Sequence, residues 1–224
     1  MGGVVTMSST NMANVAERMA EFARYGVATV FEAAGQAGLV DVPLIQISAG
    51  SRAAGPARTV RCGQNDNLMV HAALAEIQPG EVLVLTMPEP APIALLGDLL
   101  ATQAKSRGAA AVLVDAAVRD MDELRAMGLP VWARYVRARA ASKTQVGQIN
   151  EPVTVGGAVI AAGDIVVLDA DGAVVVAASR AEQTLAAAQA REAKEAALRA
   201  QLLTGALTYD LHGLRALVEG QRRV

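Results

Sequence analysis

The sequence contains little cysteine, little histidine and no cluster of basic residues, and each shortage excludes a class of protein. Its single cysteine, Cys62, cannot form an intrachain disulfide, which fits a reducing cytosol, and it is a poor candidate for a catalytic nucleophile. His71 and His212 are far apart and lack a cysteine partner, so a structural zinc site is not indicated. The net charge is −2 and no basic run exceeds Arg222-Arg223, so the electrostatic footprint of a nucleic-acid-binding protein is missing.

The sequence also lacks segments typical of export or membrane insertion. Residues 1–12 are small and polar, without the basic and apolar regions of a signal peptide, and they indicate no membrane span. Gly156-Gly157 does not belong to a Gly-x-Gly-x-x-Gly pattern after a strand, so a dinucleotide site is not indicated. We therefore expect a cytoplasmic protein that binds neither nucleic acid nor a membrane.

The length of 224 residues is sufficient for one domain with a sizeable core. We expect an α/β domain over residues 1–178 and a helical tail over residues 179–224. The tail begins with a run from Arg180 to Leu203 that is rich in alanine, glutamate and arginine. This run has high helix propensity but little apolar surface to bury, so we expect it to pack on a neighbouring subunit.

Hydrophobic periodicity predicts the main elements of the domain. An apolar repeat predicts a helix over Val15–Gly35 with a break near Gly26. The Asp-Gly pair at 171–172 favours a hairpin turn, in which Asp169 and Asp171 are expected to be turn residues. The predicted strands are Ala57–Cys62, Glu81–Thr86, Ala109–Val114, Pro130–Ala133, Val153–Val155, Ala158–Ala161, Asp164–Leu168 and Ala173–Val176, and two further helices are predicted at Asn67–Ile77 and Met121–Met127.

The most informative stretch is Gly97-Asp98-Leu99-Leu100-Ala101, which is followed after a predicted strand by Arg119-Asp120. Taken singly, Asp98 could be a helix N-cap, and Arg119-Asp120 could be a surface ion pair worth under about 1 kcal/mol. Their common position at a strand end and at helix starts favours a ligand site instead. Mg²⁺ prefers one or two carboxylates, and the free N–H groups of Leu99 and Leu100 could bind a substrate carboxylate.

A cation beside Arg119 would be suited to stabilising an oxyanion. A 2-oxo acid would bind that cation through its keto oxygen and carboxylate, and cleavage of the next carbon–carbon bond would leave an enolate beside Arg119. Lys105 and Lys143 lie in no apolar context of the kind that activates a Schiff-base lysine, so the metal route is favoured. Asp98, Arg119 and Asp120 therefore indicate a metal-dependent aldolase or decarboxylase. We expect His71, which lies on a predicted helix, to be a core or capping histidine.

The same residues carry a family resemblance. Asp98, a gap of twenty residues and Arg119-Asp120 stand within the contexts Gly-Asp-Leu-Leu-Ala and Ala-Lys-Ser-Arg-Gly-Ala. This pattern resembles the signature of the 4-hydroxy-4-methyl-2-oxoglutarate / 4-carboxy-4-hydroxy-2-oxoadipate aldolases, which belong to an RraA-like superfamily. The resemblance extends from Val27 to Leu214 and includes Asn67–His71, Pro130-Val131-Trp132, Gly163-Asp164, residues 169–172 and Ala190–Glu195.

The resemblance implies a three-layer β/β/α swivelling-type core with a long C-terminal helix, assembled as homotrimers or homohexamers. It implies a class II pyruvate aldolase that uses Mg²⁺ or Mn²⁺ and acts on a small 2-oxo acid, with oxaloacetate decarboxylation as a side activity. By resemblance, Asp120 binds the metal directly, Asp98 holds it through water, and Arg119 faces the keto oxygen and the enolate. The residues implied to bind the substrate are Gly97, Leu99, Leu100 and Arg119, and the two leucines offer their backbone N–H groups to the pyruvyl carboxylate.

The tail bears on the choice between catalysis and regulation. In the aldolases a glutamate on the C-terminal helix of a neighbouring subunit reaches the metal waters; Glu195 matches that position best, and Glu192 is the alternative. Regulator-type relatives usually lack this helix, so we expect an enzyme, and a non-catalytic protein that binds a protein partner is the alternative. Ala140-Ala141-Ser142 stands where aldolase relatives often have a Gly-Thr pair before the lysine, here Lys143, and this departure bears on the substrate more than on the mechanism.

Overall fold

The computed structural model describes residues 9–221, and side chains over residues 14–220. This part of the chain forms α-helices, β-strands and one short 3₁₀ helix, Ala178–Arg180. The α-helices are α1 Ser9–Ala33, α2 Leu68–Glu76, α3 Asp98–Ser106, α4 Met121–Met127, α5 Ala181–Leu203, α6 Thr208–Leu211 and α7 Leu214–Gln221. The strands are β1 Ile45–Gln46, β2 Ala53–Arg61, β3 Val82–Thr86, β4 Ala94–Leu96, β5 Ala111–Val118, β6 Val131–Val136, β7 Gln148–Ile149, β8 Val153–Val155, β9 Ala158–Ile160, β10 Ile165–Asp169 and β11 Gly172–Val176.

Nine of the strands form one sheet in the order β1-β6-β5-β3-β2-β10-β11, with β4 beside the end of β5 and β7 beside β2. β3, β4 and β6 each pair with β5 in parallel. β2 changes partner along its length: residues 53–56 pair antiparallel with β10, and residues 57–61 pair parallel with β3. The carboxyl ends of the parallel strands therefore meet at one edge of the sheet, which is where the segments containing Asp98 and Arg119 begin.

Two clusters of buried apolar side chains show how the layers stack. Helices α2, α3 and α4 cover one face of the parallel strands. The other face packs on the β8–β9 hairpin and on β10 and β11. β5 is buried along its whole length, as expected for a parallel strand covered on both sides. The expected three-layer β/β/α core with a long C-terminal helix is therefore confirmed.

Helix α1 has a sharp break at Gly26, as its sequence predicts. Gly26 has φ 77° and ψ 176°, outside the helical region, and a Cβ there would lie 2.4 Å from Oδ2 of Asp169. That same Oδ2 accepts a hydrogen bond of 2.9 Å from the N–H of Val27, where the second half of the helix begins. Oδ1 of Asp169 accepts the N–H of Asp171 at 2.8 Å, which confirms Asp169 as a turn residue. One buried carboxylate thus fixes both the hairpin turn and the helix break.

The helix predicted over Arg180–Leu203 is confirmed as α5. Its first half packs on α1, which covers the outer face of β10 and β11, and Ala181, Thr184 and Ala188 are buried there. This half of the tail therefore belongs to the core of its own chain. Contact between the remainder of the tail and a neighbouring subunit stays a prediction.

The sequence pattern missed the shortest elements. β4 has only three residues, too few to show a period, and it follows a stretch with prolines at 88, 90 and 92. β2 begins four residues before the predicted start at Ala57, because its first half pairs with β10, a strand more than a hundred residues later. Such pairings depend on tertiary structure, and local periodicity does not report them.

Replacing Asp169 with alanine should lower the free energy of unfolding by about 1 to 3 kcal/mol, because a buried N–H of Val27 would lose its acceptor. Urea unfolding measures the change. Asp171→Ala is the matched control, since Asp171 is exposed in the same turn, and its effect should stay within about 0.5 kcal/mol. Equal losses in the two variants would contradict the role of Asp169.

Candidate functional site

The strands β4 and β5 bring the predicted site residues together. Gly97 and Asp98 follow β4, and Arg119 and Asp120 follow β5, which runs parallel to β4. The N–H of Arg119 donates to the carbonyl of Leu96 at 3.1 Å, so the two segments remain paired where β4 and β5 end. Asp98 therefore shares one edge of the sheet with Arg119 and Asp120, although about twenty residues of sequence separate it from them.

The carboxylate of Asp120 is the centre of this group. Its Oδ2 accepts the N–H of Asp98 at 3.1 Å and lies 3.4 Å from Nε of Arg119. Asp120 has φ 60° and ψ 51°, a left-handed conformation that non-glycine residues adopt at a cost of about 1 kcal/mol or more. No described residue donates a hydrogen bond to Oδ1 of Asp120. That oxygen is therefore available to a ligand.

Asp98 is the first residue of α3 and not its N-cap. Gly97 occupies the N-cap position, and α3 has no side-chain cap. The Asp120 carboxylate takes the Asp98 N–H instead, so the side chain of Asp98 is not used to cap the helix. The simpler interpretation of Asp98 as a cap is therefore wrong.

Gly97 is required by the closeness of the two segments. A Cβ at this position would lie 2.5 Å from Oδ2 of Asp120 and 3.1 Å from Nε of Arg119. Both atoms belong to the predicted site, so any larger residue would displace them. The glycine predicted to bind substrate thus makes room for the carboxylate and the guanidinium.

The first turn of α3 presents unused hydrogen-bond donors. The first helical bond runs from the N–H of Ala101 to the carbonyl of Gly97. Within the described range, no acceptor takes the N–H of Leu99 or of Leu100, as expected for the start of a helix. The side chain of Leu99 is 78% exposed, so this turn is open to solvent. These two N–H groups lie where an anionic group could be bound.

A cleft of about 240 Å³ opens beside these groups. It adjoins both the start of α3 and Arg119. Besides Gly97, Asp98 and Arg119, its lining includes Asn67, His71, Leu99, Leu100, Ala140, Ala141 and Lys143. The expectation that His71 is a core or capping histidine is wrong, because its side chain is exposed and lines the cleft. Asn67 and Lys143 also line the cleft, and no local sequence pattern predicts that position for them.

Asp66 is a buried carboxylate next to Asn67, which lines the cleft. Its Oδ1 accepts the N–H of Leu68 at 2.8 Å, and its Oδ2 accepts the Ser142 hydroxyl at 2.7 Å and the Thr144 N–H at 2.6 Å. Burial opposes its ionisation, but the N–H groups of Thr144 and Leu68, the Ser142 hydroxyl and the Gln145 N–H together lower the pKa of Asp66 to about 2. Asp66 therefore ties the segment 142–145 to the start of α2.

Asn67 continues this wall of the cleft. Its Nδ2 donates to the carbonyl of Leu95 in β4 at 3.1 Å, whereas its buried Oδ1 has no partner among the described residues. Nearby, burial and the charge of Asp66 raise the pKa of the Cys62 thiol to about 12. Cys62 is thus protonated near neutral pH, which agrees with its exclusion as a nucleophile.

The donor set at the sheet edge suits a hard divalent cation. No group of three or more His, Cys, Asp or Glu side chains able to hold a metal occurs in the described part of the chain. Mg²⁺ commonly takes only one or two carboxylates and keeps several waters. Asp120, through its unused Oδ1, and the half-buried Asp98 could supply those two carboxylates.

Glu195 is not brought to this edge within one chain. α5 packs on α1, which covers the outer face of β10 and β11, whereas α3 covers the helical face of the parallel strands. Glu195 pairs with Arg191 at 2.9 Å, and Glu192 pairs with Arg24 of α1. A contribution of either glutamate to the site of a neighbouring subunit stays a prediction.

These features define a three-layer β/β/α protein with a carboxylate–arginine site at the carboxyl edge of its parallel strands. The family model described as RraA-like, Aldolase/RraA, matches residues 14–175. The chain therefore belongs to the RraA-like family.

Within residues 9–221, no helix has both the length and the apolar character needed to cross a membrane.

Relatives in this family carry different names. A protein of Halalkalibacterium halodurans, provisionally named 4-hydroxy-4-methyl-2-oxoglutarate aldolase, is 38% identical over 143 residues, which are 64% of this chain and 68% of the relative. RraAS2 of Streptomyces coelicolor, from the RNase ES inhibitor RraA family, is 31% identical with a TM-score of 0.73 over 82% of this chain and 96% of its own. A structure from Geobacillus kaustophilus named S-adenosylmethionine:2-dimethylmenaquinone methyltransferase is 34% identical, with a TM-score of 0.58 over 61% and 84%.

The depressed pKa of Asp66 predicts a specific acid sensitivity. A carboxyl with a pKa of about 2 when folded and about 3.9 when unfolded contributes about 2 to 3 kcal/mol to the free energy of unfolding above pH 5, and about half of this is lost by pH 3. In Asp66→Asn this pH-dependent contribution to the free energy of unfolding is absent, because an amide does not ionise. The gap in unfolding free energy between wild type and variant should therefore narrow as the pH falls from 5 to 3, measured by urea unfolding. A gap that stays constant would contradict the ionised Asp66.

Proposed function

We propose that this chain is a divalent-metal-dependent, class II pyruvate aldolase. Its substrate would be 4-hydroxy-4-methyl-2-oxoglutarate or 4-carboxy-4-hydroxy-2-oxoadipate, and its products pyruvate plus pyruvate or oxaloacetate. The observation that carries the proposal is the contact of Asp120 with the Asp98 N–H and with Arg119, at the open first turn of α3. The aldolase name of the Halalkalibacterium halodurans relative supports the same activity.

Asp120 and Asp98 are the residues proposed to hold Mg²⁺ or Mn²⁺, Asp120 directly and Asp98 through water. The bound cation would act as a Lewis acid that polarises the 2-oxo group of the substrate. Oδ2 of Asp120 is already held by the Asp98 N–H, which leaves Oδ1 as the ligand atom. Nε of Arg119 lies 3.4 Å from the same Oδ2, so the guanidinium stands beside the carboxylate proposed to bind the cation.

Binding and charge stabilisation are assigned to neighbouring groups of the chain. The N–H groups of Leu99 and Leu100 would bind the carboxylate at C1 of the substrate, at the positive end of the α3 dipole. The guanidinium of Arg119 would stabilise the negative charge that develops on the C2 oxygen. The 4-hydroxyl loses its proton and the C3–C4 bond breaks, which releases one oxo acid and leaves the enolate of pyruvate, later protonated at C3.

Loss of CO₂ from oxaloacetate would form the same enolate, so decarboxylation is a proposed side activity. Deprotonation of the 4-hydroxyl needs a base, and no group of one chain is assigned to that step. Glu195 of a neighbouring subunit, or Glu192 as the alternative, is proposed to assist it in a homotrimer or homohexamer. The exposed outer half of α5 supports this placement. The side chain of Glu195 is 43% exposed, and its described ion-pair partner, Arg191, lies on the same helix.

A non-catalytic role is the second candidate. It is favoured by the likeness to RraAS2, whose family is named for inhibition of an RNase. In that case the chain would bind a protein partner and would turn over no 2-oxo acid.

The test of the proposal is pyruvate release from 4-hydroxy-4-methyl-2-oxoglutarate, with Mg²⁺ and with EDTA. Wild type should release pyruvate only with the metal, and Asp120→Ala should be more than about 100-fold slower because a ligand is lost. Asp122→Ala is the matched control, since Asp122 follows in α4 with a side chain 95% exposed. Circular dichroism and thermal melting verify that the variants fold.

Two results would count against the aldolase. Retained activity in Asp120→Ala would remove this residue from the site. No pyruvate from this substrate, from 4-carboxy-4-hydroxy-2-oxoadipate or from oxaloacetate would favour the partner-binding alternative.

Arg119→Lys should lower kcat by about 30-fold, equivalent to about 2 kcal/mol of transition-state stabilisation, because a compact ammonium does not reproduce the planar guanidinium. Steady-state kinetics with the same substrate measures the loss. Arg125→Lys, on the neighbouring helix α4, is the control and should retain the wild-type kcat. A wild-type kcat in Arg119→Lys would exclude the enolate role.

A further inference from the structure

Lys143 stands on the wall of the cleft and has no assigned task. Its side chain is exposed and lines the same cleft as Arg119 and the start of α3. Within residues 14–220, no carboxylate forms an ion pair with Lys143. Its positive charge is therefore available to a ligand in the cleft.

The backbone on each side of Lys143 is held in place. Ser142 and Thr144 both donate to the buried carboxylate of Asp66, and the N–H of Asn67 donates to the carbonyl of Ser142 at 2.9 Å. Ala140, three residues earlier, forms a parallel bridge with Ala94 in β4. Because β4 leads directly to Gly97 and Asp98, the position of the lysine backbone relative to the proposed metal site is set by sheet pairing.

The charges of the cleft favour a ligand with two negative charges. A divalent cation would be neutralised by the two carboxylates of Asp98 and Asp120. With Arg119 and Lys143 included, the site would then carry a net charge of +2 beside a cleft large enough for a small molecule. A monocarboxylate would balance half of this net charge, whereas a 2-oxo dicarboxylate would balance all of it.

We propose that Lys143 binds the second carboxylate of the substrate and thereby selects 2-oxo dicarboxylic acids over 2-oxo monocarboxylic acids. The first carboxylate would lie at the N–H groups of Leu99 and Leu100. Ala140 and Ala141, which also line the cleft, leave space for a small substituent between the two anchors. The proposal rests on the proposed function, because it takes the orientation of the substrate from it.

Calorimetric titration tests the proposal without turnover. 2-Oxoglutarate has the second carboxylate but no 4-hydroxyl, and 2-oxopentanoate has the same chain length without the second carboxylate. With Mg²⁺ present, wild type should bind 2-oxoglutarate more tightly. Lys143→Met should weaken the binding of 2-oxoglutarate at least tenfold and the binding of 2-oxopentanoate less than threefold. Lys143→Arg should restore most of the affinity for 2-oxoglutarate.

Lys105→Met is the matched control. Lys105 lies in the last turn of α3, seven residues after Asp98, and its Nζ donates to the carbonyl of Met127 instead of facing the cleft. This variant should bind both acids like wild type. Equal weakening of both acids in Lys143→Met, or unaltered binding of 2-oxoglutarate, would overturn the proposal. Pyruvate release by wild type is assayed separately, so a lysine-dependent preference without turnover would refute the aldolase and not the assignment of Lys143.

Discussion

The hydrogen bond from the Asp98 N–H to the Asp120 carboxylate is the interaction on which the site depends. It forms because β4 runs parallel to the end of β5, so that the residues after each strand emerge side by side. It also needs a position without a side chain, Gly97, and a left-handed backbone at Asp120. A strained aspartate at a strand end is stable only where the surrounding structure holds it, and here both strands are buried.

Two aspartates of this protein show how burial separates structure from function. Asp169 and Asp120 each accept an N–H where a helical segment begins. Asp169 is buried and uses both carboxylate oxygens within the protein, so it stabilises the helix break and the hairpin turn. Asp120 is partly exposed, and only its Oδ2 has partners among the described residues. The same local geometry is therefore compatible with a structural role in one case and with ligand binding in the other.

The shape of the cleft wall depends on a third carboxylate, that of Asp66, which is not proposed to contact a ligand. Asp66 remains charged although it is buried, because it accepts several hydrogen bonds from the segment 142–145 and from the start of α2. A buried charge whose hydrogen bonds are all made holds its partners in one arrangement, whereas a buried charge that lacks some of its hydrogen bonds would destabilise the fold. The unusual Ala140-Ala141-Ser142 stretch fits this arrangement, since the alanines line the cleft and the Ser142 hydroxyl donates to Asp66.

By itself the sequence determined the long elements, the break at Gly26, the α/β class and the placing of Asp98 with Arg119 and Asp120. These follow from local properties: hydrophobic period, glycine and the residues that end a strand or begin a helix. Tertiary structure alone decided that Asn67, His71 and Lys143 share the cleft, and that Asp66 holds a segment 76 or more residues away. The reason is that sheet order and register decide which residues lie close together. Strands that pair, such as β2 and β10, are separated by about a hundred residues, and the local pattern of neither strand specifies its partner.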